Sequence, residues 1–176
     1  LTGEEIPGTP RDHGKTSDLQ RSVIRNPLVW VLALSSAFMY ISRYAINGWG
    51  VLFLQEIKGY TLAAATQVIS VNALCGIVGT VFSGWLSDAF FHGRRNVLAF
   101  GFGVLNTVAL CLFLYSGDGL VVNILSMILF GVAIGVLICF LGGLMAIDIV
   151  PREATGAALG IVGMASYVGA GLQDIV

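Results

Sequence analysis

The sequence predicts an all-α membrane protein, a bundle of five transmembrane helices with the last one truncated. Three observations predict it. The 176 residues are 56% hydrophobic and 11% charged, with a mean hydropathy of +0.87, well outside the range of soluble domains. Five apolar stretches each approach the roughly 20 residues that a helix needs to cross about 30 Å of hydrocarbon. The basic residues gather at alternate ends of those stretches.

The first 18 residues carry Gly3, Pro7, Gly8, Pro10 and Gly14 among charges and hold too little apolar surface to order themselves. Residues 1–26 are therefore expected to form a cytoplasmic linker, and residues 27–176 a transmembrane bundle. The chain lacks an initiating Met and the basic and apolar regions of a signal peptide, so an internal segment of a longer protein is expected.

The first span is expected over 28–54, opened by Asn26-Pro27. The second covers 62–86, with Thr61 as its N-cap. The third covers 97–115 and the fourth 120–147. The fifth runs from 154 to 176, with Pro151 placed where a helix break costs nothing. The connections are short, so consecutive helices are expected to form antiparallel hairpins. Alternation places Arg11, Lys15, Arg21, Arg25, Arg94, Arg95 and Arg152 on one face, against Lys58 on the other. The positive-inside rule makes the first face cytoplasmic.

Gly131-x-x-x-Gly135 and Gly156-x-x-x-Gly160 have the spacing that lets membrane helices approach closely, and close packing is expected of both. Cys75, Cys111 and Cys139 lie inside apolar stretches with no paired Cys or His spacing, so they are expected to pack in lipid or core. His13 and His92 stand alone in the tail and a loop. No metal site follows, and no cofactor. A net charge of −1 gives no reason to propose a nucleic-acid partner. The chain offers no nucleophile with a base and no phosphate-cradling glycine loop in a suitable setting, so an enzyme is not expected.

Arg43 belongs to neither charged face. It lies about 15 residues into the first span, roughly 20 Å or more from the cytoplasmic end and too deep for easy snorkelling. An arginine there costs about 2.5–3.5 kcal/mol on insertion scales and needs a partner or a polar cavity. Ser36, Tyr40, Arg43 and Asn47 follow the spacing of one helical stripe, and Tyr44 adds a second hydroxyl or aromatic face beside it. Two readings stand. Arg43 pairs with Asp174, the one acid away from loops and helix ends, or it awaits an anionic solute, to which its planar fork is suited.

Two further stretches carry information. In Gly84-Trp-Leu-Ser-Asp88-Ala-Phe-Phe-His-Gly93-Arg94-Arg95, Gly84 permits close approach, Asp88 can pair with arginines or cap a helix end, and the basic pair anchors a cytoplasmic loop. An ordinary charged turn is the plain alternative. In the last span Gly156, Gly160, Gly163 and Tyr167 share a face, with Asp174 two turns beyond; Tyr167 either lines a cavity or packs in the core.

Together these stretches resemble the organophosphate:phosphate antiporter family of the major facilitator superfamily, to which bacterial glycerol-3-phosphate and hexose-phosphate transporters belong. The resemblance rests on Tyr40-x-x-Arg43-Tyr44-x-Ile46-x-x-Trp49, Leu54-x-Glu56, Gly84-Trp85-x-Ser87-Asp88, Pro151-x-x-Ala154-x-Gly156 and Gly163-x-x-x-Tyr167-x-Gly169, in that order. The gap between Asp88 and the basic pair is slightly longer than in the commonest form of the superfamily's loop motif.

The resemblance implies the seventh to eleventh of twelve helices in a bacterial inner membrane, with Gly84, Asp88, Arg94 and Arg95 forming a cytoplasmic charge latch. It implies that Arg43 and a counterpart in an N-terminal half bind a phosphoryl group, with Tyr40 and Tyr167 lining the site. Asp174 falls where the family varies. Rocker-switch exchange of a phosphorylated metabolite for inorganic phosphate follows. A membrane sensor of a sugar phosphate that signals to a partner kinase is the alternative.

Overall fold

A computed structural model describes residues 20–91 and 95–175. Every secondary-structure element within them is helical. Residues 20–25, at the end of the expected linker, are helical and bury Val23 (1% exposed) against the bundle. Five helices are long and apolar enough to cross a membrane. We label them α1 (Pro27–Glu56), α2 (Leu62–Phe91), α3 (Arg95–Tyr115), α4 (Leu120–Ile149) and α5 (Thr155–Ile175).

Local chemistry sets the ends. Asn26 caps α1 by accepting from Leu28 N at 3.0 Å, and Pro27 occupies the first turn, where its missing N–H costs nothing. The chain leaves α1 through Gly59 at φ +68°, a conformation that a residue with a Cβ rarely adopts. Thr61 Oγ1 accepts from Ala64 N at 3.3 Å, the cap expected of it. α2 runs on to Phe91 and α3 starts at Arg95, so the connection between them is shorter than the hydropathy suggested. Within α4 the regular hydrogen bonding gives way to a π turn over Phe140–Leu144.

The packing departs from a series of hairpins. The most extensive interfaces join α1 to α5 and α2 to α4, with α3 lying on α4. Glycines explain the α2–α4 pair. Cβ atoms added at Gly131 and Gly135 would run into the backbone of α2 at Asn72 and Gly76, and one at Gly79 would lie 2.5 Å from Val132 O. The backbones therefore touch, as the Gly131/Gly135 spacing suggested. On α5, Gly169 plays this part against Ala37. Gly156 and Gly160 do not: a Cβ on either meets nothing within 4 Å among the described residues, because the face of α5 that holds them points away from α1.

Lys58, counted from sequence as the loop charge opposite the basic face, is buried at 7% exposure. Its Nζ donates to Phe113 O (2.5 Å), Asn123 Oδ1 (2.7 Å) and Ser116 Oγ (3.2 Å), using all three ammonium protons. The rings of Phe53 and Phe113 stand 5.6 and 5.1 Å away. Tyr60 Oη donates to Asp118 O (2.7 Å) and accepts from Asn123 Nδ2 (3.0 Å), completing a clasp between two loops.

Burial pushes the Lys58 ammonium below the ordinary lysine value of 10.5, with Asp118 acting the other way. The folded chain thus holds this proton less tightly than the unfolded one. The resulting increment of stability is fully present above 10.5 and is lost as pH falls through the lower folded value. Lys58→Met is expected to remove that pH dependence and to cost about 1–3 kcal/mol at neutral pH by depriving its three acceptors of this donor. Thermal unfolding of both proteins in detergent, from neutral pH towards 10.5, checks the expectation.

Candidate functional site

Arg43 projects from α1 at mid-depth and is half-buried. Among the described residues it makes no ion pair and no hydrogen bond; its guanidinium carbon lies 6.0 Å from the Tyr44 ring centroid. It lines a cavity of about 440 Å³ between α1, α2 and α4, shared with Asn47, Asn72, Thr80 and Ile138. Asn72 Nδ2 donates to Asn47 Oδ1 at 3.2 Å across the α1–α2 boundary. Thr80 Oγ1 is turned to the backbone, donating to Gly76 O (2.9 Å) or Gly135 O (3.1 Å). Arg43 is thus the one charged side chain among the described residues that line this cavity.

The tyrosines gather beside it. Tyr40 stacks on Tyr44 with centroids 6.0 Å apart and meets the edge of Tyr167 at 5.9 Å. Tyr167 is 67% exposed, so the reading of it as a core tyrosine is corrected: the surface of α5 that carries it is turned away from the bundle interior. Of the three rings, that of Tyr44 lies 6.0 Å from the Arg43 guanidinium, and Tyr167 joins the cluster through Tyr40.

Two expectations about this stripe change. Ser36 does not face the cavity; it is fully buried and shares a 2.7 Å hydrogen bond with Ser166 of α5. It is on the same side of α1 as Arg43 but at a depth where α5 covers the helix. Asp174 does not pair with Arg43. In the amide orientation that satisfies both neighbours, the Gln173 side-chain nitrogen donates to Asp174 Oδ1 (3.1 Å) and its oxygen accepts from Trp49 Nε1 (2.7 Å). Asn72 was missed. The available signal was Asn72, Gly76 and Thr80 at steps of four along an otherwise apolar α2.

Where α3 begins and α4 ends, Arg95 Nη1 meets Asp148 Oδ2 at 2.7 Å and Oδ1 at 2.8 Å, and also donates to Leu144 O at 3.4 Å. The partner seen for Arg95 is therefore an acid at the end of α4. Arg94 and His92 lie outside the described residues, as do the Asp88 side chain, His13 and the linker up to residue 19. A Cβ on Gly84 meets nothing within 4 Å among the described residues. Cys75, Cys111 and Cys139 are free thiols.

A larger groove of about 730 Å³ lies between α1 and α3, lined by Phe38, Met39, Phe100, Val104 and Asn106 among others. It carries no charged side chain and so is a poorer seat for an ionic solute than the Arg43 cavity.

A multi-pass helical bundle whose mid-depth cavity holds one cation among the described residues is the architecture of a solute-handling membrane protein rather than of an enzyme. Residues 3–173 match the Major Facilitator Superfamily, and the chain belongs to that family of transporters. It is 34% identical over 152 residues to the glycerol-3-phosphate transporter of Bacillus subtilis, covering 84% of this chain and 33% of that protein. It is 35% identical over 160 residues to the membrane sensor protein UhpC of Salmonella typhimurium, covering 88% of this chain and 35% of that one. It is also 34% identical over 156 residues to a probable hexose phosphate transport protein of Chlamydia pneumoniae, with 84% and 33% covered. The chain spans about a third of the length of these relatives.

Proposed function

We propose that the full-length protein exchanges a phosphorylated metabolite, a sugar phosphate or glycerol phosphate, for inorganic phosphate by alternating access. The observation that carries this reading is Arg43: a half-buried guanidinium at mid-depth, with no carboxylate partner among the described residues, lining a cavity. Its planar fork matches two phosphoryl oxygens at once, and the phosphoryl group is common to both substrates. Tyr40, Tyr44 and Tyr167 stand beside it as hydroxyl donors. Asn47 and Asp174 flank the site one and several turns away. A second arginine from the N-terminal half would complete the clamp, and the two halves would rock about it. The Arg95–Asp148 pair would act as part of the cytoplasmic latch, together with Gly84, Asp88 and Arg94. The basic loops would face the cytoplasm of a bacterial inner membrane.

The similarity to a membrane sensor supports a second reading, in which the same site binds a sugar phosphate and signals to a partner kinase. Proteoliposomes holding the full-length protein and loaded with phosphate separate the two. Organophosphate-driven phosphate efflux is the expected result. Organophosphate binding without exchange favours the sensor, and absence of binding overturns both. A neighbouring gene for a membrane histidine kinase would also favour the sensor.

A further inference from the structure

We propose that Asn47 and Asn72 form a reading pair for a hydroxyl group, so that the site selects phosphate monoesters of uncharged polyols over phosphocarboxylates. This rests on the reading of Arg43 as the phosphoryl-binding residue.

The pair is built across two helices. Asn72 is nine-tenths buried, at 5% exposure, and its Nδ2 donates to Asn47 Oδ1 at 3.2 Å, while both side chains line the Arg43 cavity. That bond uses one donor and one acceptor. Asn47 Nδ2 is left as a donor and Asn72 Oδ1 as an acceptor, side by side. If both amides are turned over, the shared bond reverses, and the surface again offers one donor and one acceptor. A hydroxyl is both donor and acceptor and satisfies the two together. A carboxylate only accepts: it gains from the amide N–H and is repelled by the carbonyl oxygen beside it.

Position fits the task. Asn47 lies one helical turn from Arg43 on the same face of α1, so their Cβ atoms are about 6 Å apart and both side chains line the one cavity. That offset suits a group a few bonds from a bound phosphorus atom. Among the described residues no second cation lines this wall to hold a carboxylate, and the hydroxyl there, that of Thr80, is committed to the backbone.

The test uses the full-length protein in proteoliposomes and competition against labelled inorganic phosphate by glucose 6-phosphate, glycerol 3-phosphate and 3-phosphoglycerate. In the wild type, the inhibition constant for 3-phosphoglycerate, which has a carboxylate where glycerol 3-phosphate has a terminal CH2OH, is expected to exceed those for the two ligands without a carboxylate. Asn72→Leu is expected to shrink that ratio about tenfold, the size of one to two neutral hydrogen bonds. Asn47→Ala, at an exposed position where packing is untouched, is expected to shift the ratio the same way. A general loss of packing would weaken all ligands together and leave the ratio where it was. A ratio unchanged in Asn47→Ala, or a wild type that prefers 3-phosphoglycerate, overturns the inference. A wild type that takes up phosphate with no competition from any organophosphate overturns it too. A wild type that takes up no phosphate overturns instead the phosphoryl reading beneath it.

Discussion

Arg43→Lys in the full-length protein is expected to lower phosphate counterflow on the order of a hundredfold, the equivalent of roughly 3 kcal/mol for a charge-assisted, two-pronged hydrogen bond. Charge is kept by the substitution, so a purely electrostatic role predicts a small effect. What lysine cannot supply is the planar fork, and its compact ammonium is more strongly hydrated. The cavity shows why no neighbour compensates: the other polar groups given for its wall are amides and one hydroxyl bonded to the backbone. Counterflow of phosphate against phosphate in reconstituted vesicles is the measurement. Near-normal counterflow in Arg43→Lys would remove Arg43 from the phosphoryl site.

Gly135→Leu is expected to be the most damaging substitution in the bundle, costing about 3 kcal/mol or more and leaving little folded protein. A Cβ at Gly135 collides with the carbonyl of Gly76 and lies 2.9 Å from Thr80 N, all of it helix backbone that cannot rotate away as a side chain can. Relief requires α2 and α4 to separate, which breaks the contact at Gly131 and the Thr80–Gly135 hydrogen bond as well. Gly101→Ala, whose Cβ meets nothing within 4 Å among the described residues, is the matched control. Melting temperature and monodispersity in detergent report the difference. A Gly135→Leu protein that melts with the wild type would show that the two backbones do not touch.

The spans were legible because the bilayer imposes their length: each apolar stretch read from the sequence coincides with an observed helix to within a few residues at its ends, apart from the longer α2. Which helix rests on which was not legible. In lipid every apolar face resembles every other, so hydrophobicity cannot nominate a partner, and only small residues hint at one. The hint is permissive. It held for Gly131 and Gly135, which find α2, and failed for Gly156 and Gly160, whose spacing is the same but whose face of α5 no described residue covers.

The candidate site divides in the same way. Arg43 stood out because a charge in hydrocarbon demands a reason. Tyr40 and Tyr167, distant in sequence, are brought to one ring contact. Ser36 was misplaced because a helical wheel gives direction without saying how far along the helix a neighbour reaches. Asn72 was passed over because a neutral amide on a second helix announces nothing until the two helices are set side by side. Lys58 misled for the opposite reason: a loop lysine reads as solvated, yet here three acceptors surround it.

The π turn in α4 has a bearing on how this helix should be compared with others. A π turn accommodates one residue more than the α-helix it interrupts, and each residue advances the helical wheel by about 100°. Counting in fours from Gly131 and Gly135 therefore keeps step with the α2 contact only as far as Phe140. Beyond it the numbering slips out of phase: Leu120–Cys139 lies chiefly against α2 and α3, and Met145–Ile149 adds a contact with α5. The helix is spliced, and past the splice it gains a neighbour.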